Sequence, residues 1–109
     1  MKMTKYLGKI DSVHFGFNRD RPFLFGLELT FKFDGNSYVT SVKDTVNISE
    51  ECLWSTLERR EGITECIDRI AEIMREANVN DVKDLKNTPV EITLDGNLFK
   101  DYRILTEVI

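Results

Sequence analysis

The chain has 109 residues, 41% of them apolar and 31% charged, with a formal net charge of −4. That is room for one domain over residues 1–109, with the composition of a globular protein rather than a disordered one. No apolar run approaches the ~20 residues that span a bilayer, and the opening MKMTKYLGKIDS lacks the features of a signal peptide, so a cytoplasmic protein without membrane association is expected.

Tyr6 to Phe17 reads as a strand with imperfect alternation. Val13, Phe15 and Phe17 share one face, yet Lys9 and Asp11 have the same parity, so a bulge near Asp11-Ser12 is expected. Gly16 through Pro22 connects it to the clearest element, Phe23 to Phe33. There the odd positions Phe23, Phe25, Leu27, Leu29, Phe31 and Phe33 form one apolar face. Asp34-Gly35-Asn36 turns the chain and Ser37 to Lys43 returns as the partner strand.

Ser49 opens a short turn, and Ser55-Thr56-Leu57-Glu58 is a capping box for a helix over about 56–77. Its expected buried stripe is Ile63, Ile67, Ile70, Met74 and Ala77, widened by Cys66 and Ile73. Gly62 costs ~1 kcal/mol against alanine in a helix interior and could interrupt it. Asn78 to Lys86 should hold a short helical turn capped near Asn80. Pro89 then opens a strand in which Val90, Ile92 and Leu94 alternate with polar residues. Asp95-Gly96-Asn97 turns the chain again, and Leu98 to Ile109 reads as a last strand with apolar residues on both faces.

The order β-β-β-α-β-β predicts an α+β fold, a five-stranded antiparallel sheet with one long amphipathic helix on one face. Five strands span about 24 Å and a helix about 10–12 Å, so the helix covers roughly half of that face. The remainder is expected to be buried by a second copy in a homo-oligomer first of all, with a curl of the sheet or a ligand in a concave aromatic pocket as the alternatives.

The charge is uneven, +3 over residues 1–43, −6 over 44–81 and −1 over 82–109. Without a basic excess, strong binding of double-stranded DNA is not expected. Cys52 and Cys66 are too few for a disulfide framework and read as small buried hydrophobes. His14 is the only histidine, and no metal spacing, nucleophile–base arrangement or phosphate loop is legible. A non-enzymatic protein without a cofactor is expected. The segment Gly16 to Pro22 carries two arginines beside aromatics, a chemistry that bonds phosphate and stacks on bases. Phe15, Phe17, Arg19 and Arg21, with Trp54, Tyr102 and Arg103 elsewhere, are the candidate ligand-binding residues. A charged solvated loop and a core tryptophan are the plainer reading of the same residues.

Asn78-Val79, Asp84-Leu85-Lys86, Thr88 to Thr93, Gly96-Asn97 and the end Arg103-Ile104-Leu105-Thr106-Glu107-Val108-Ile109 carry a resemblance. They resemble a family of small, uncharacterised phage and prophage proteins that end in an R-I-L-T-E-V-[IL] strand. Phe15-Gly16, Phe25-Gly26-Leu27 and Trp54-Ser55 with the capped helix fit the same pattern. Tyr102 stands for the family's usual tryptophan and Asn87 for its glycine, and the Asn18–Pro22 loop and the Ser41–Cys52 connection also differ. The resemblance implies a phage gene expressed in bacterial cytoplasm and assigns no activity or functional residue. The expected function is therefore a phage accessory protein that counters a host defence by sequestering a nucleotide signal. One alternative is a protein–protein inhibitor or adaptor whose acidic helix face (Glu58, Glu61, Glu65, Glu72, Glu76) meets a basic host protein. Another is a nucleic-acid metabolism accessory on an OB-like curled sheet.

Overall fold

The computed structural model describes residues 3–33, 39–50 and 55–109. Its organising element is β1 (Met3–Phe17), 15 residues long and shared between two half-sheets. Residues Met3 to Lys9 pair with β4 (Pro89–Asp95), and Gly8 to Phe17 pair with β2 (Leu24–Phe33). β3 (Val39–Asn47) extends the second half and β5 (Leu98–Ile104) the first, giving one antiparallel sheet in the order β3-β2-β1-β4-β5. The register shifts between Ile10 and Ser12, where the bulge was expected. The unpaired Asp11 resets the alternation, so Ile10 and Val13 both turn to the core side. It also bends β1 where it passes from one half-sheet to the other, as strands do at sheet corners.

The bend resolves the surplus of apolar sheet. Phe31 of β2 is fully buried and packs against Tyr102 (ring centroids 4.8 Å) and Phe99 (6.2 Å) of β5. β2 and β5 are three strand spacings apart, roughly 14 Å in a flat sheet. The sheet therefore curls so that its halves bury each other's inner faces. Close backbone approach permits this. A Cβ on Gly8 would lie 2.4 Å from the Lys32 carbonyl oxygen and 2.6 Å from Phe33 Cβ.

α1 (Thr56–Ala77) packs on the concave face against both edge strands, β3 and β5. The Ser55 hydroxyl accepts from the Glu58 N–H while the Glu58 carboxylate accepts from the Ser55 N–H, the reciprocal cap foreseen. The helix runs unbroken through Gly62 and ends at Asn78 in the left-handed conformation, φ 57°. Its buried stripe is Cys66, Ile70, Ile73 and Ala77. The expected stripe is rotated from this: Ile63 and Ile67 are exposed, because the curled sheet offers a narrower trough than a flat one. The next turn is a 3-10 segment, Val82–Leu85, capped by Asp81 and not Asn80.

The last strand is also corrected. It stops at Ile104, a 3-10 turn follows at Thr106–Val108, and Val108 and Ile109 are exposed. A register shift opposite Thr93/Leu94 leaves Lys100 unpaired. Phe99 and Tyr102 then share the core side, although strict alternation places them on opposite faces. The outward side of β5 holds Asp101 and Arg103, so the strand is not apolar on both sides. The Asp34–Gly35–Asn36 turn, Cys52 and Trp54 lie outside the described residues.

Candidate functional site

The end of the molecule where β1 meets β2 extends beyond the helix. Val13, Phe15 and Phe17 continue the core side of β1, opposite Leu29, Leu27 and Phe25. Phe25 meets Phe15 and Phe17 edge-on, with centroids 5.2 and 5.1 Å apart. Phe15, Phe17 and Phe23 are 46%, 54% and 43% exposed.

The connecting loop is tied to the ends of β1 and β2 by hydrogen bonds centred on Asn18. Asn18 is only 4% exposed. Its Oδ1 accepts from the backbone N–H groups of Asp20 and Arg21, both at 2.9 Å, and its Nδ2 donates to the Glu28 carboxylate. The Asn18 N–H donates to the Leu24 carbonyl and the Leu24 N–H to the Arg21 carbonyl, each at 2.9 Å. His14 Nε2–H donates to the Phe17 carbonyl at 2.9 Å. Among the described residues no buried side-chain nitrogen or oxygen lacks a partner, while the Arg19 and Arg21 side chains are exposed and have no ion-pair partner.

Beside this loop lies an open cleft of about 540 Å³ lined by Phe17, Pro22, Phe23, Ile48, Ser49 and Glu50. Its far wall is pinned by the Ile48 N–H to the Phe23 carbonyl at 3.1 Å and by the Arg59 guanidinium to the Ile48 carbonyl at 2.6 Å. Ile48 to Glu50 escaped the sequence reading because they arrive from the end of β3. Nothing in their local pattern distinguishes them from a helix lead-in.

Of the expected ligand-binding residues, Phe17 lines this cleft, Phe15 packs against Phe25 on the same strand pair, and Arg19 and Arg21 stand on the connecting loop that leads to Pro22. Tyr102 and Arg103 do not join them. Tyr102 sits half-buried in the core beside Phe31, near the other end of β1. Its hydroxyl pKa is pushed up, first by burial and then by the carboxylates of Asp44, Glu76, Asp101 and Glu72. Arg103 lies on the outward face, with Nε 3.2 Å from Glu91 and its terminal nitrogens 3.1 and 3.2 Å from Glu107. These bonds raise the Arg103 pKa and hold Glu107 below its ordinary value.

Around Tyr102 there is a second cavity, of about 290 Å³, between α1 and the two edge strands. The buried Cys66 thiol donates to the carbonyl of Asp44, a residue of the cavity lining, at 3.2 Å, and burial pushes the thiol pKa up. Among the described residues no three His, Cys, Asp or Glu side chains cluster as metal ligands would, and no helix is long and apolar enough to cross a membrane. The chain matches no protein-family model, no curated protein and no solved structure.

Proposed function

We propose that this chain is a non-enzymatic binding protein that captures a nucleotide-type ligand at the β1–β2 end. One observation carries the reading: half-exposed phenylalanines stand on a hydrogen-bonded base beside a cleft of small-molecule size, and the adjoining loop carries Arg19 and Arg21, which among the described residues have no ion-pair partner. Aromatic faces accept a base of any identity, at about 1–3 kcal/mol per stacked base. Guanidinium groups bond phosphate in a bidentate way. The base stacks on Phe17 and Phe23, and the phosphate meets Arg19 and Arg21. The resemblance to phage proteins supplies the setting, a counter-defence protein of bacterial cytoplasm that sequesters a nucleotide signal. Self-association belongs to the same reading, through the exposed Leu57, Ile63 and Ile67 of α1.

Native mass spectrometry with cyclic mononucleotides, cyclic dinucleotides and ADP-ribose derivatives tests this. Retention of one class is expected, lost in Phe17→Ala and in the double variant Arg19→Ala/Arg21→Ala. If no ligand is retained, sequestration is wrong. The curl into a partly open five-stranded barrel favours one further reading, a short single-stranded oligonucleotide, because barrels of that kind bind such ligands on their strands. Affinity that rises with oligonucleotide length, with no mononucleotide retained, would select it.

A further inference from the structure

The cavity between α1, β3 and β5 differs from the aromatic cleft in chemistry and place. Among the described residues β3 pairs only with β2, and β5 only with β4. Alternating antiparallel neighbours make β3 and β5 run in the same direction, so a strand laid antiparallel to one is antiparallel to the other. Three consecutive residues, Tyr102, Arg103 and Ile104, border the cavity. Successive side chains of a strand point to opposite faces, so what borders the cavity is the backbone edge of β5 itself. Among the described residues no strand fills that edge. The Tyr102 N–H is turned away from β4 and, among the described residues, bonds only the neighbouring Asp101 carboxylate, at 2.7 Å.

Charge tells what the groove would accept. Asp44 is matched by Arg69, with Nε to Oδ1 at 2.9 Å, and Arg103 is committed to Glu91 and Glu107 on the outward face. Glu72 and Glu76 line the helix side and, among the described residues, have no ion-pair partner. The inner wall is apolar, made by Val42, Ile73 and Ile104. We propose that this groove receives an extended basic segment of a partner protein, added as a strand to the free edge of β5. Alternate side chains of the segment would enter the apolar wall, and its lysines or arginines would reach Glu72 and Glu76. Main-chain bonds supply affinity in such strand addition, and side-chain chemistry supplies the choice of partner. The site is separate from the aromatic cleft, and either can fail without the other.

The probe is a capped octapeptide alternating lysine and valine, titrated into the intact chain and followed by backbone amide NMR, with a glutamate–valine octapeptide as control. Expected shifts centre on residues 102–104 and 42–44, weaken with salt, and leave residues 15–23 unmoved. The glutamate–valine peptide should give none. The double variant Glu72→Gln/Glu76→Gln changes only exposed groups and should lower affinity about tenfold or more. Absent shifts at millimolar peptide, equal response to both peptides, or unchanged affinity in the variant each overturn the proposal. Concentration-dependent shifts at the same amides without peptide would overturn it too, in favour of a second copy.

Discussion

The curl of the sheet predicts an energetic coupling between residues that a flat sheet would keep apart. Phe31 and Tyr102 sit on strands three apart, yet their rings lie 4.8 Å from one another. Replacing Phe31 by leucine removes part of a fully buried ring and is expected to cost about 2 kcal/mol, short of the 3–5 kcal/mol of a truncation to alanine. Tyr102→Leu at a half-buried position should cost about 1–2 kcal/mol. Against a total stability of about 5–15 kcal/mol both single variants and the double one remain folded, which makes the cycle measurable. Aromatic pairs contribute about 0.5–1.5 kcal/mol beyond their burial. The double variant should therefore lose less than the two single losses added, by that amount, in urea unfolding followed by circular dichroism. At the roughly 14 Å of a flat sheet the two sites would be independent. A coupling within about 0.3 kcal/mol of zero would refute the curl as the source of the core.

Three further outcomes follow from single sites. The Tyr102 pKa is raised on folding, so its contribution to stability is complete below the unfolded value of about 10 and is lost as pH rises toward the folded value. Melting curves of the wild type and Tyr102→Phe should keep a constant separation up to about pH 10 and then shift relative to each other, with the variant spared the alkaline loss; parallel curves to pH 11 would contradict this. Asn18→Ala should cost about 2–3 kcal/mol, because two backbone donors and the Glu28 carboxylate lose their partner. Asn18→Asp keeps the acceptor but opposes Glu28 with a second carboxylate, so its deficit in melting temperature should narrow as pH falls toward 4. Gly26→Ala should cost about 3 kcal/mol or more by urea unfolding, since the new Cβ would sit 2.2 Å from the Asp44 carbonyl oxygen with φ at +153°; a loss under about 1 kcal/mol would show that the strands part easily there.

Much of the architecture was legible because it rests on local rules. Alternation in Phe25 to Phe33, the serine–glutamate cap and Pro89 at a strand start all read directly from spacing. The bulge at Asp11 was legible too, because two runs of opposite parity met within one strand. The bulge at Lys100 was not. The Leu98–Ile104 run alternates acceptably with or without it, and only pairing with β4 decides. The rotation of the helix stripe was equally hidden. Ile63, Ile67, Cys66 and Ile73 are all apolar, and which of them faces inward depends on the trough that a bent sheet presents. At the candidate site, the arginines and phenylalanines of one continuous segment could be grouped from sequence. The separation of Tyr102 and Arg103 from them could not, because chain distance says nothing of which half-sheet a residue joins. Ile48 joins the cleft only through tertiary placement.

The sharing of β1 sets an order of events for the newborn chain. Its second half can zip onto β2 and β3 as soon as those residues emerge, because the hairpins are local. Its first half must wait for β4, about 80 to 90 residues later in the chain, and long-range pairing of that kind is slow. Until then Tyr6, Ile10 and the inner face of β2 stand without the strands that bury them. A ribosome-bound intermediate of this chain is thus a half-sheet with one sticky edge, completed only when the last two strands arrive.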